Sequence, residues 1–278
     1  MNSGKGKDST HLRGTLRIEP GSKVHLDRVD PAATFGYDKD ASEPLLKAGL
    51  DRLGDLQDRL WAERKHPVLV VLQGIDASGK DGTIRHVMSA FNPQSCTVVP
   101  FGVPTEVESD HDYLWRIHQR TPAKGEITIF NRSHYESVLV VRVHGLDPEA
   151  VWSRRYDQIN AWERTLVDEG TTIVKFFLHI SADEQRDRLQ ERVDDPTKRW
   201  KFRLHDLDDR KLWGDYRAAF EEMLGRCSTK QAPWYVVPAN HNWFRNLAVA
   251  EILGDVLDDL APVYPESPDP IPPGLRIT

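Results

Sequence analysis

Only two cysteines, Cys96 and Cys227, occur in 278 residues, and their spacing matches no metal or redox motif. So low a cysteine content points to reduced thiols and a cytoplasmic protein. Long apolar runs are missing as well. None approaches the roughly 20 residues of a membrane-spanning helix, so no membrane association is expected. Met1 to Thr10 is polar and lacks the apolar centre of a secretory leader. There is no excess of positive charge: the formal net charge is −6. That gives no reason to expect DNA as a partner, and any polyanion site has to be a local basic patch. A Gly-x-Ser-x-Gly elbow is absent, and so is the Asn-Lys-x-Asp guanine-reading motif, which weakens the switch-GTPase reading. His111, His118, His134 and His144 have no zinc-type spacing and read as surface or core histidines. No internal repeat is visible.

The stretch that organises the chain is Val68 to Gly82. Val68-Leu69-Val70-Val71-Leu72 is β-branched and leucine-rich, the pattern of a strand buried on both faces. It breaks at Gly74, and Ile75-Asp76-Ala77-Ser78-Gly79-Lys80-Asp81-Gly82 follows. Apolar residues at helical spacing come next, up to Phe91. Strand, glycine loop, lysine and helix form a phosphate-binding P-loop, whose backbone N–H groups attract anions while Lys80 adds a full charge. Position 81 of such a loop is usually the Ser or Thr that holds Mg²⁺, and here it is Asp81.

The rest of the chain alternates strands and helices. Residues 1–34 read as an irregular arm, wrapped on the body or on a neighbouring subunit. Ser42, followed by Pro44, predicts the N-cap of an amphipathic helix running to about Arg64. Further strands are expected at Cys96–Val99, Glu126–Phe130, Thr172–His179 and Trp234–Pro238. Helices are expected at Glu106–Gln119, Pro148–Asp168, after Ser181, from about Asp208 to Leu224, and at Trp243–Leu260. Ser181 with Glu184 three residues on reads as a capping box. Six prolines between Pro262 and Thr278 make 263–278 an extended surface tail. The expected fold is α/β: one P-loop domain over 35–262, with a mainly parallel five-stranded sheet covered by helices on both faces.

Ligands of such sheets collect at the C-terminal strand ends. The P-loop is there, with Gly74, Ala77, Ser78, Gly79, Lys80, Asp81 and Gly82 as phosphate-binding candidates. The strand ending at Phe130 runs into Asn131, Arg132 and, four residues further, Glu136. Arg132 suits bidentate contact with phosphate oxygens. Asp76 is the first choice to hold Mg²⁺, with Glu136 and the Asn131 carbonyl as further donors. The alternative is a structural Arg132–Glu136 ion pair at a helix start. Lys198-Arg199-Trp200-Lys201-Phe202-Arg203 places four cations in six residues within a charged segment, about 194–212. On its own such a run is a solvated face. Beside a P-loop it reads as a basic lid, with Trp200 and Phe202 as packing anchors.

These segments resemble the polyphosphate kinase 2 family. The resemblance lies in Gly74 to Gly82, Pro104-Thr105-Glu106 through Arg116, Ile129 to Glu136, Lys175 to Ser181, Lys198–Arg203 and Ala232-Pro233-Trp234. It implies a P-loop kinase fold and Mg²⁺-dependent phosphoryl transfer (Mn²⁺ being the other candidate ion) between inorganic polyphosphate and nucleotides. It also implies a homodimer or homotetramer. Many members carry Asp at position 131, and the Asn-Arg-Ser-His-Tyr-Glu form resembles the subgroup acting on nucleoside monophosphates as well as diphosphates. Asp81 is compatible with the family's loop. In that setting Asp76, Lys80, Arg132 and Glu136 are the expected catalytic set, and Lys198, Arg199, Lys201 and Arg203 join the loop in holding polyphosphate. Trp234 to Asn242 is the expected border of the base. An ATP-dependent nucleoside monophosphate kinase and a non-catalytic nucleotide or polyphosphate sensor remain as alternative readings.

Overall fold

Leu69 and Val71 point to one side of the first strand while Val68, Val70 and Leu72 point to the other, and the two sets belong to two different hydrophobic cores. That single strand therefore carries the centre of the molecule. The computed structural model describes residues 12–269 and 271–277. Its five strands are β1 (Val68–Gln73), β2 (Cys96–Pro100), β3 (Ile127–Asn131), β4 (Thr172–His179) and β5 (Trp234–Pro238), ordered β2-β3-β1-β4-β5. All four pairings are parallel. Parallel strands need helical crossovers, which cover both faces. The main helices are α1 (Lys39–Glu63), α2 (Lys80–His86), α3 (Glu149–Asp168), α4 (Ala182–Asp194), α5 (His205–Lys211), α6 (Trp213–Cys227) and α7 (Asn242–Asp259). α1 and α7 pack with the Val68 side of β1, and α3 and α6 with the Leu69 side. The α/β class, the parallel sheet and the two-sided cover match the expectation.

Local signals differ from the sequence reading in four places. α1 starts at Lys39, because Asp38 rather than Ser42 is its N-cap, accepting from the N–H groups of Asp40 and Ala41. The expected Glu106–Gln119 helix is two single turns, Glu106–Ser109 and Trp115–His118. Asp112 accepts from the Leu114 N–H at 2.9 Å, a local side-chain turn that competes with helix. The helix expected from Asp208 breaks at Leu212 into α5 and α6. Ser181 does cap α4 by accepting from Glu184 N–H at 3.1 Å, but the Glu184 carboxylate faces Arg188 at 2.7 Å, so only half the box forms. The described part of the N-terminal arm lies on the body: Ile18 N–H donates to Trp234 O and Val236 N–H to Leu16 O, both at 2.9 Å, along the edge of β5. Its first eleven residues lie outside the described ones. Among the described residues no helix is long and apolar enough to cross a membrane, and both cysteines are free.

The core also contains charge. Lys175, in the middle of β4, is fully buried and donates to Glu163 of α3 at 2.5 Å, to Tyr135 Oη at 2.9 Å and to the Cys227 carbonyl at 2.8 Å. Tyr135 Oη donates to Glu163 at 2.7 Å, and His134 Nε2 lies 3.2 Å from the same carboxylate. Two neighbours of Arg132 and Glu136 are thus clipped to one buried anion. Removing one partner of such a pair leaves a buried charge uncompensated, which costs about 3–5 kcal/mol. Lys175→Met is expected to lower the unfolding free energy measured in urea by an amount of that order, with a lower midpoint, and Lys175→Met/Glu163→Gln to recover part of the loss. An unchanged midpoint in Lys175→Met would contradict the buried-pair account.

Candidate active site

The P-loop leaves β1 at Gly74 and enters α2 at Lys80. Gly79 has φ 103°, a left-handed conformation that a side chain resists. Ala77 and Arg132 adopt φ 64° without being glycine, and such conformations concentrate at functional sites. The Lys80 ammonium donates to Gly74 O at 2.7 Å and to Ile75 O at 3.2 Å, so the lysine folds over its own loop. Burial, and then the Arg132 charge, pull its pKa down to about 8 against the pull of Asp76, Glu136 and Asp81.

Arg132 is the link to β3. It pairs with Asp76 of the loop, and its Nη1 lies 3.6 Å from Glu136. Burial raises the Asp76 pKa, but Arg132, Lys80 and more distant cations outweigh it and hold the carboxyl below its usual range. Glu136 also accepts from Gln73 Nε2 at 3.0 Å. Asp76, Lys80, Arg132 and Glu136, expected together from the sequence, are brought together, and the Arg132–Glu136 ion pair weighed as the structural alternative is also present. Asn131 donates its amide to Asp81 at 3.0 Å, leaving its oxygen as the remaining acceptor, and Lys201 of the basic segment approaches the other Asp81 oxygen at 3.2 Å. Burial opposes ionisation of Asp81, and these two hydrogen bonds hold its pKa down.

Two cavities open at this end of the sheet. The first, about 940 Å³, is a groove along the loop. Nine lysines and arginines line it against four carboxylates, so a basic trough sits in a protein of net charge −6. Lys198, Lys201 and Arg203 of the basic segment reach it. Arg199 does not: its Nε donates to Val193 O at 2.8 Å. Trp200 lines the groove but is 71% exposed, so it is no packing anchor. Lys198 is held by Glu191 and Asp195. The sequence reading missed Arg85, Arg188, Arg192 and Arg245 on three different helices. Arg188 and Arg192 carry the one local signal, i,i+4 spacing on one face of α4.

The second cavity, about 1020 Å³, lies on the other side of Arg132. Its walls include Phe101, Tyr113, Val140, Arg154 and Arg155, with Glu136 near the junction. Arg155 lies 4.9 Å over the Tyr113 ring and Arg116 5.4 Å over Phe101. Arg132, Phe101 and Gly102 line both cavities. The expected base border fares differently: Trp234 is fully buried against Tyr135 and Lys175, and Asn242 lines the basic groove.

Among the described residues no group of three or more His, Cys, Asp or Glu could hold a metal by itself. Asp76, Glu136 and the Asn131 oxygen nevertheless suit a hard cation such as Mg²⁺, which binds through one or two carboxylates and completes its shell with water and phosphate oxygens.

The family described as Polyphosphate kinase 2 matches residues 36–263. An AMP/ADP-polyphosphate phosphotransferase of Meiothermus ruber is 56% identical over 252 residues, covering 90% of this chain and 94% of the relative. An ADP-polyphosphate phosphotransferase of Rhodopseudomonas palustris is 43% identical over 268 residues, covering 91% and 92%. The crystal structure of polyphosphate kinase 2 from Arthrobacter aurescens superposes with a TM-score of 0.90 at 42% identity, covering 94% of both chains. The loop, the strand-end arginine and the two cavities that meet at it are thus those of a chain that belongs to the polyphosphate kinase 2 family.

Proposed function

We propose that the chain moves phosphoryl groups between inorganic polyphosphate and nucleoside mono- and diphosphates. The observation that carries this reading is the position of Arg132 at the meeting of the two cavities. The basic groove suits a long phosphate chain, whose charge repeats along its length. The second cavity, with aromatic and apolar walls beside arginines, suits a nucleotide. Their phosphates meet at Arg132. Relatives named for AMP, ADP and polyphosphate support the same assignment.

Phosphoryl transfer asks for in-line placement and for cancellation of charge on the equatorial oxygens. Lys80 and Arg132 hold the transferred group from two sides. Asp76 and Glu136 orient Arg132, and Lys198, Lys201 and Arg203 cover the chain and restrict water. Asp76, with Glu136 and Asn131, would hold Mg²⁺ or Mn²⁺, which when bound neutralises phosphate charge. An ionised terminal phosphate is the nucleophile, so no general base is required.

Purified protein given polyphosphate and ADP, or polyphosphate and AMP, with no ATP, is expected to yield ATP and ADP respectively. An absence of product from both acceptors would overturn the reading in favour of an ATP-dependent kinase or a sensor. Lys201→Ala and Arg203→Ala are expected to raise KM for polyphosphate more than KM for nucleotide, with the gap widening as salt falls. Arg199→Ala, whose side chain is turned away, is expected to change it least; equal effects on both substrates for all three would contradict the groove assignment.

The pH dependence follows from Lys80. Its charge is full below its pKa of about 8 and is lost as pH rises through that value. kcat/KM for polyphosphate reports the free enzyme and is expected to fall above that pH. Lys80→Arg keeps its charge throughout and is expected to flatten the fall, whatever its absolute rate. A wild-type profile that stays level across this range would contradict so low a pKa for Lys80.

A further inference from the structure

Arg245, in the first turn of α7, is 2% exposed and lines the floor of the basic groove. Buried arginines are ordinarily paired with a carboxylate. Arg245 is not: among the described residues its guanidinium meets only neutral amide oxygens. Nη1 donates to Asn242 Oδ1 at 2.6 Å, and Nε and Nη2 donate to Asn246 Oδ1 at 3.2 and 2.8 Å. Arg85 and Arg203 also lack a carboxylate partner there, but both are exposed to solvent, where an unpaired charge costs little. Arg188 nearby has Glu184 at 2.7 Å.

The guanidinium is pressed against the phosphate loop. A Cβ on Gly79 would collide with Arg245 Nη1, and one on Gly82 would lie 2.9 Å from Nη2. Gly79 and Gly82 thus admit the arginine right up to the backbone of the loop. Burial first, and then the Arg188 charge, lower the Arg245 pKa to about 10. A buried cation left without an anion is a standing electrostatic cost in the free protein. It is relieved when an anion occupies the loop.

We propose that Arg245 is a positioning residue for the phosphate chain, whose negative charge in the loop serves as the counter-ion that the folded protein does not supply. This rests on the reading of the groove as the polyphosphate site. The consequence is a division of labour. Lys80 and Arg132 act at the transferred group, while Arg245 acts from beneath the glycines and ties loop geometry to occupancy. It also sharpens selectivity for polyanions, because a neutral ligand in the groove leaves the cost in place.

Two substitutions separate this from a merely structural role. Arg245→Met removes the charge and keeps most of the volume. Asn246→Asp keeps the arginine and gives it a carboxylate of nearly the same shape. For both, polyphosphate Kd, its salt dependence, nucleotide KM and the thermal midpoint of the free protein are measured against wild type. The expected result is at least about a ten-fold weaker polyphosphate Kd in each variant, the loss of one uncompensated positive charge beneath the chain. The slope of log Kd against log salt is expected to fall by about one in Arg245→Met. Nucleotide KM is expected to be unchanged, and Asn246→Asp is expected to raise the thermal midpoint of the free protein. Wild type binding polyphosphate while both variants bind it equally well would overturn the Arg245 inference alone. A lowered midpoint in Asn246→Asp, or parallel losses for nucleotide and polyphosphate, would also overturn it and leave a structural role. Failure of wild type itself to bind polyphosphate would overturn the reading of the groove.

Discussion

Repulsion among like charges is the constraint on which this end of the molecule depends. A protein of net charge −6 gathers nine lysines and arginines around one groove, and each needs a reason to stay. The fold supplies reasons of different kinds. Lys80 folds onto loop carbonyls, Arg132 lies between Asp76 and Glu136, Lys198 leans on Glu191, and Arg188 on Glu184. These partners hold the cations in place without neutralising the trough. The basic segment follows the same rule, since Lys201 reaches across to Asp81 of the loop. Asp81, the residue out of place in an ordinary P-loop, thereby acquires a use: with Asn131 it connects the loop, the end of β3 and the basic segment.

The second dependence is geometric. A parallel sheet sends β1 and β3 out at the same end, and their register pairs Leu72 with Asn131, so the loop and Arg132 emerge side by side. The strained φ of Arg132 turns its side chain to the line where two cavities meet. Behind it, His134 and Tyr135 are fastened to Glu163, and Glu163 to Lys175 in the middle of β4. The core charge network thus fixes the turn between Arg132 and Glu136. Fold stability and site geometry share those residues.

Much of this was legible in the sequence because it is local. The buried run at β1, the glycine spacing, and the strand ending in Asn131-Arg132 each fit within a few residues. Their meeting follows from the parallel topology that strand–helix alternation implies. What was not legible depends on contacts between distant segments. Arg245 lies more than a hundred residues from Gly79, and nothing in its neighbourhood marks it as the floor of the loop. Arg199 and Lys201 look alike in a basic run, and only the short turn at Arg199–Lys201 sends one to a backbone carbonyl and the other to Asp81. Trp234 reads as a candidate for a base site, but it fills the core beside a lysine that no local pattern predicts to be buried. Helix ends were the weakest point: Asp38 settles one through two backbone N–H groups and Asp112 another through one, and such local bonds compete closely with other caps.

The proposed function has two substrates in two cavities, meeting at Arg132. It is tested most directly by a crystal structure with ADP and a methylene-bridged, non-transferable polyphosphate analogue bound together. The account predicts the phosphate chain along the groove over Lys80 and Arg245, the nucleotide between Tyr113 and Arg155, and the two terminal phosphates facing each other at Arg132. A nucleotide seated on the P-loop, with the analogue absent from the groove, would contradict it.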